Sequence, residues 1–115
     1  MSGPEAVLVQ QCKAVAEACG ALLALVGQQK AKGSGTTRGF PDGTLICAGE
    51  IRLIEFKRPK TADHPRGYLS LAQSAFIAAA LEQGVHVYVV DRVEDFAAIV
   101  NGCRHSRGVQ RRAVG

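Results

Sequence analysis

The chain has 115 residues, 47% of them hydrophobic, enough for one compact domain with a small core and too few for two. Its formal charge of +4 is unevenly placed: residues 1 to 95 hold ten Lys or Arg against ten Asp or Glu, so Arg104, Arg107, Arg111 and Arg112 supply the whole excess. The cysteines Cys12, Cys19, Cys47 and Cys103 form no C-x-x-C pair, no apolar run approaches the roughly 20 residues of a membrane span, and MSGPEAV lacks a basic leader region. Zinc, a disulfide framework and a membrane anchor are therefore not expected, and a soluble cytoplasmic protein with reduced thiols is.

From Glu5 to Cys19 the residues Leu8, Cys12, Val15, Ala16 and Cys19 recur at helical spacing, with Pro4 suited to the first turn and Gly20 to the stop. Glu5 lies at the start of that inward stripe. It is either an acid aimed at a partner inside or a first-turn residue favoured by the helix dipole. Residues 21 to 28 fit a strand better than a continued helix, because Gly20 precedes them and Gly27 lies within them. QQKAKGSGTTRG then predicts a mobile loop, whose Lys30, Lys32 and Arg38 can touch phosphates or merely be solvated.

Phe40 to Lys57 holds two strand patterns, Thr44 to Cys47 and Glu50 to Lys57, joined by Ala48-Gly49. An antiparallel register about that turn opposes residues whose numbers sum to 97: Ile46 to Ile51, Thr44 to Leu53 and, one step past the ordinary strand end, Asp42 to Glu55. Opposed residues share a face, as do residues two apart, so Asp42, Glu55 and Lys57 are predicted to converge while Arg52, Ile54 and Phe56 face the other way. Two carboxylates that close repel unless a cation lies between them, and Mg2+ or Mn2+ fits the gap. Read singly, Pro41-Asp42-Gly43 is an ordinary turn and Glu55-Phe56-Lys57 an ordinary charged strand end.

The following loop, KRPKTADHPRGY, carries Arg58, Lys60 and Arg66 against one acid, with His64 in a predicted turn as an exposed bystander, a metal ligand or a general base. Ser70 opens a helix that ends at Gly84, and Ser70-x-x-Gln73 matches a capping box. Gln73 also lies on the stripe of Phe76, Ile77 and Ala80, which turns its amide toward the sheet. VHVYVVD, residues 85 to 91, predicts an interior strand reached by a right-handed crossover, with His86 packed inside. Asp91-x-x-Glu94 predicts a last helix ending at Asn101-Gly102, and residues 102–115 a basic flexible tail able to rest on a phosphate backbone.

The order of elements, with Pro41-Asp42, twelve intervening residues and Glu55-Phe56-Lys57, resembles the PD-(D/E)XK nucleases. Gly39-Phe40-Pro41-Asp42, Ile54-Glu55-Phe56-Lys57, Leu69-Ser70-Leu71-Ala72-Gln73 and the Gly84-to-strand junction resemble more narrowly the virus-type replication-repair nuclease (VRR-NUC) domain. The resemblance implies an α/β fold with a restriction-endonuclease-like core, a mixed four-stranded sheet in the order αβββαβ plus a C-terminal helix, spanning residues 1–101. It further implies that Asp42, Glu55 and the Phe56 backbone carbonyl hold Mg2+ or Mn2+, that Lys57 serves the attacking water or the phosphorus oxygens, and that Gln73 and Glu5 line the site. The implied function is a metal-dependent endonuclease for branched or flapped DNA, acting as a homodimer in a bacterial or phage-infected cell. Two other classes stay open: a catalytically inactive DNA-binding module using its basic loops and tail, and a small adaptor whose charged hairpin end is simply solvated.

Overall fold

A computed structural model describes residues 3–26, 37–63, 65 and 67–114, of which 104–114 are described by their backbone alone. Its elements run α1 (Pro4–Ala18), β1 (Leu22–Leu25), β2 (Gly43–Cys47), β3 (Glu50–Phe56), α2 (Leu71–Glu82), β4 (Val87–Val90) and α3 (Val93–Val114). The strands form one mixed sheet in the order β1-β2-β3-β4, antiparallel except for the β3–β4 pair. This is the expected α/β architecture.

The apolar stripes of the helices place them. Leu8, Cys12 and Ala16 of α1 are buried, and with Phe96, Val100 and Cys103 of α3 they pack on the sheet face that presents Leu23, Leu45, Cys47, Ile54, Phe56 and Val90. Phe56 and Phe96 meet there with ring centroids 6.4 Å apart. All four cysteines are free thiols, three of them buried in or beside this layer. Glu55 and its pleat mates lie on the second face, which α2 alone approaches.

The hairpin turn is of the two-residue kind, with Ala48 at φ 55° and Gly49 at φ 80°, and Cys47 pairs with Glu50 across it. Glycine tolerates that backbone, whereas alanine is strained there by about 1–2 kcal/mol. Ala48→Gly is therefore expected to raise the stability of the chain by about 1 kcal/mol, measured as a higher denaturation midpoint at unchanged slope.

Three expectations need correction. β4 is an edge strand: Val87 and Val90 are buried because α2 and α3 cover its two faces, and an apolar run reports cover on the faces and says nothing of lateral position. His86 is exposed, its ring edge-on to Tyr88 at 4.5 Å. The last helix passes Asn101-Gly102 and continues to Val114. Phe96, Val100 and Cys103 keep helical spacing across the glycine, and burying Cys103 to 1% exposure outweighs the roughly 1 kcal/mol that a mid-helix glycine costs. The boundary expected at residue 102 thus falls inside an element.

Candidate active site

Asp42 stands just before β2, where the chain is held on three sides. Pro41 is fully buried, Phe40 meets Phe76 of α2 edge-on at 5.3 Å, and the Asp42 carbonyl accepts the Val26 N–H at 2.8 Å. Gly39, at φ +79°, lies so close to the first turn of α2 that an added Cβ would stand 2.2 Å from the Ala72 carbonyl oxygen. That contact ties the Asp42 segment to the helix bearing Gln73. Gly39→Ala is expected to lower the melting temperature by several degrees, corresponding to roughly 2 kcal/mol or more, and to weaken any function of Asp42 with it.

The register of β2 on β3 sums to 97 throughout, with Thr44 beside Leu53 and Ile46 beside Ile51. The ladder stops at Gly43 and Ile54, however, so Asp42 is not a further rung. Its carboxylate instead accepts the Phe56 N–H at 3.2 Å and lies near enough to the Glu55 carboxyl to raise that group's pKa. The two acids meet as their numbers predicted, through side chains and without the extra rung.

Glu55 is 1% exposed, the one buried acid among the described residues. Loss of water pushes its pKa up to about 8, with the hydrogen bond to Asp42 and the Asp42 charge adding to the rise and Lys57 opposing it. Gln73 Nε2 donates to Glu55 Oε2 at 2.7 Å, and Lys57 Nζ lies 3.8 Å from the same oxygen. Lys57 also donates to Gln73 Oε1 at 3.0 Å and to the Tyr68 carbonyl at 3.2 Å.

Gln73 answers both readings that its sequence position left open. Its backbone N–H donates to Ser70 Oγ at 3.0 Å and its Oε1 accepts the Ser70 N–H at 2.8 Å, completing the capping box. The same oxygen receives Lys57, and this leaves only the NH2 end to face Glu55. The cap therefore fixes the amide in the one orientation that bridges lysine and acid. Ser70, the Tyr68 carbonyl and Gly39 are the positioning elements that sequence reasoning missed. Ser70 was visible only as a cap, and a carbonyl has no signature in sequence.

Glu5 is exposed at the start of α1, where partial desolvation and the charge of Asp42 raise its pKa and Lys57 lowers it. It belongs to the field of the site without being bound into the network. Arg38 and Lys60 are exposed. Arg58, expected as an outward phosphate contact, turns into its own loop: Nη2 donates to the Pro65 carbonyl at 2.9 Å, and the Arg58 carbonyl accepts the Gly67 N–H at 3.0 Å. Lys30, Lys32, His64 and Arg66 lie outside the described residues, as do the side chains of Arg104, Arg107, Arg111 and Arg112.

Among the described residues no group of three or more His, Cys, Asp and Glu is arranged to hold a metal. The pair Asp42–Glu55 nonetheless fits a hard divalent ion: two neighbouring carboxyls, one of them fully buried, with its pKa raised first by loss of water and then by the other acid. The helices also bear on the expectation about membranes, since among the described residues none is long and apolar enough to cross one.

No protein-family model matches the chain, and no curated protein matches it. A solved structure described as a VRR_NUC domain is similar to it at 18% identity and a TM-score of 0.64, covering 87% of this chain and 97% of that one. The sheet and the helices thus have a counterpart as a whole fold, and the chain has a VRR-NUC-like fold.

Proposed function

We propose that this protein is a Mg2+- or Mn2+-dependent DNA endonuclease that hydrolyses phosphodiester bonds at branched or otherwise structured DNA in phage or prophage replication and repair. The observation that carries this reading is the continuous line Lys57–Gln73–Glu55–Asp42, which fixes a cation and two acids in one partly buried cluster. Such a line is expensive to keep for stability alone, because a buried acid with a raised pKa opposes folding at neutral pH.

Asp42, Glu55 and the backbone carbonyl of Phe56 would hold the ion. When bound, it supplies a water of lowered pKa and compensates charge on the phosphate. The residues of the chain do the rest. Lys57, steadied by Gln73 and the Tyr68 carbonyl, presents an ammonium to the phosphorus oxygens or to the attacking water. Glu5 adds negative field at the edge and can accept a proton there. Arg38 and Lys60, with Lys30, Lys32, Arg66, Arg104, Arg107, Arg111 and Arg112, would contact the phosphate backbone, and such contacts make binding salt-dependent. Placement in the cytoplasm follows from the same reading.

Labelled four-way junction, flap, single-stranded and duplex DNAs, incubated with Mg2+, Mn2+ or chelator, test the proposal. Nicking of a branched substrate only with a divalent ion is expected. Salt-sensitive binding without hydrolysis under every ion would instead make the chain a DNA-binding module.

A further inference from the structure

Every Phe and Tyr ring of the chain but one has a ring partner among the described residues. Phe40 meets Phe76, Phe56 meets Phe96 and Tyr88 meets His86. Tyr68 has no such partner among the described residues and is 81% exposed, and Leu71 at the start of α2 is 91% exposed. A single exposed tyrosine needs no explanation. The position of this one does, because its own carbonyl accepts Lys57 Nζ at 3.2 Å, which places the phenol within one residue of the site's ammonium.

The backbone of Tyr68 is held from both sides. Just before it, Gly67 lies so close to the start of the loop that an added Cβ would stand 3.1 Å from the Arg58 backbone nitrogen and 3.7 Å from Lys57 Cδ. The Gly67 N–H donates to the Arg58 carbonyl at 3.0 Å, and the Arg58 guanidinium in turn donates to the Pro65 carbonyl at 2.9 Å. Just after it, Ser70 caps α2 through its bonds with Gln73. Tyr68 thus stands on a fixed stretch between the closure of the loop and the cap of the helix. Only its side chain remains to be ordered when something binds, and a tyrosine has two χ angles to fix.

We propose that Tyr68 stacks on an unpaired base of the strand whose phosphate meets Lys57. This contact deepens the endonuclease reading and rests on it for the identity of the polymer. The stretch from Lys57 to Ser70 carries Lys57, Arg58, Lys60 and Arg66 against Asp63 alone. A nucleic-acid strand offers a negative charge and a flat aromatic face in every unit, so it uses both the cations and the ring. An acidic peptide would use the charge and leave the ring idle. Inside a duplex both faces of each base are covered by its neighbours, and the ring engages only at a branch, an end or a single-stranded segment, where no unstacking is required. Tyr68 is therefore a specificity-determining residue that favours phosphates beside unpaired bases. It is tolerant of sequence, because every base has a π-face.

Photocrosslinking of the full chain in chelator tests it, with a flap DNA that carries iodouracil at successive unpaired positions, a base analogue that joins to a ring stacked on it. Crosslinks to Tyr68 are expected from the positions next to the branch. In binding titrations under the same conditions, Tyr68→Ala should hold the flap about 10-fold more weakly and a blunt duplex as wild type does, while Tyr68→Phe, which keeps the ring, should hold both as wild type does. Any residue at this position keeps the carbonyl that Lys57 uses, and the exposed side chain supports no packing, so circular dichroism should be unchanged. Absence of a crosslink at Tyr68, or equal weakening of flap and duplex by Tyr68→Ala, overturns the stacking. Nicking in Mg2+ or Mn2+ reports the endonuclease reading separately. No nicking under any ion, with the Tyr68 effects intact, overturns that reading and leaves the stacking established in a DNA-binding module; nicking without those effects overturns the stacking alone.

Discussion

Glu55→Gln is expected to abolish metal-supported nicking, by on the order of 10³-fold or more, and at the same time to make the metal-free chain more stable at pH 8. The two effects have one cause. Folding raises the pKa of Glu55 from 4.5 to about 8, so between those values the folded chain holds a proton that the unfolded chain has released. Stability tied to that proton is fully present below pH 4.5 and is lost as pH rises through 8, by on the order of 5 kcal/mol. Gln keeps the shape, can accept from Gln73 Nε2 and can donate to Asp42, and has nothing to ionise. Denaturant melts in chelator at pH 5, 6.5 and 8 should show wild type weakening with pH while Glu55→Gln stays nearly flat. Parallel pH curves would mean that the carboxyl is not held protonated, and the account of the site would fall with it.

Adding Mn2+ is expected to reverse the wild-type trend. An ion bound between Asp42 and Glu55 offsets both the loss of water and the repulsion from Asp42 that raise the Glu55 pKa, so the ionised form becomes the stable one and binding strengthens as pH rises. At an ion concentration 100-fold above the dissociation constant the gain is about 2.7 kcal/mol, or roughly 10 °C in a domain of this size. The shift should be larger at pH 8 than at pH 6, should be accompanied by proton release, and should vanish in Asp42→Asn and Glu55→Gln. Equal shifts in the variants would place the ion elsewhere. Lys57 offers the contrast, since its loss removes a competing positive charge and should leave Mn2+ binding intact or tighter while cleavage fails.

Much of this arrangement was legible in the order of residues, for a physical reason. A two-residue turn fixes hairpin register, and the period of two along a strand then dictates which side chains share a face. Ala48-Gly49 therefore carried the meeting of Asp42 with Glu55 across a dozen residues. Helix stripes were equally informative where a core receives them, as with Leu8, Cys12 and Ala16. They misled where burial is shared or interrupted. Val87 to Val90 is covered on both faces at the edge of the sheet, so its composition mimics an interior strand. Asn101-Gly102 spells a stop that Cys103 overrides by packing. The inward turn of Arg58 depends on the Pro65 carbonyl, which no side-chain pattern encodes. Gln73 shows the limit most clearly: sequence offered cap or site, and the amide has enough polar atoms to be both.

That double duty has a consequence for heat. The opening turn of any helix frays before its middle, and here the turn that frays carries the link between ammonium and acid. Once Ser70 lets go, the glutamine swings free, and the lysine loses its tether although sheet and core remain whole. Catalytic competence should accordingly fade on warming ahead of cooperative melting and return on cooling, a reversible dimming set by four residues of backbone at the mouth of α2.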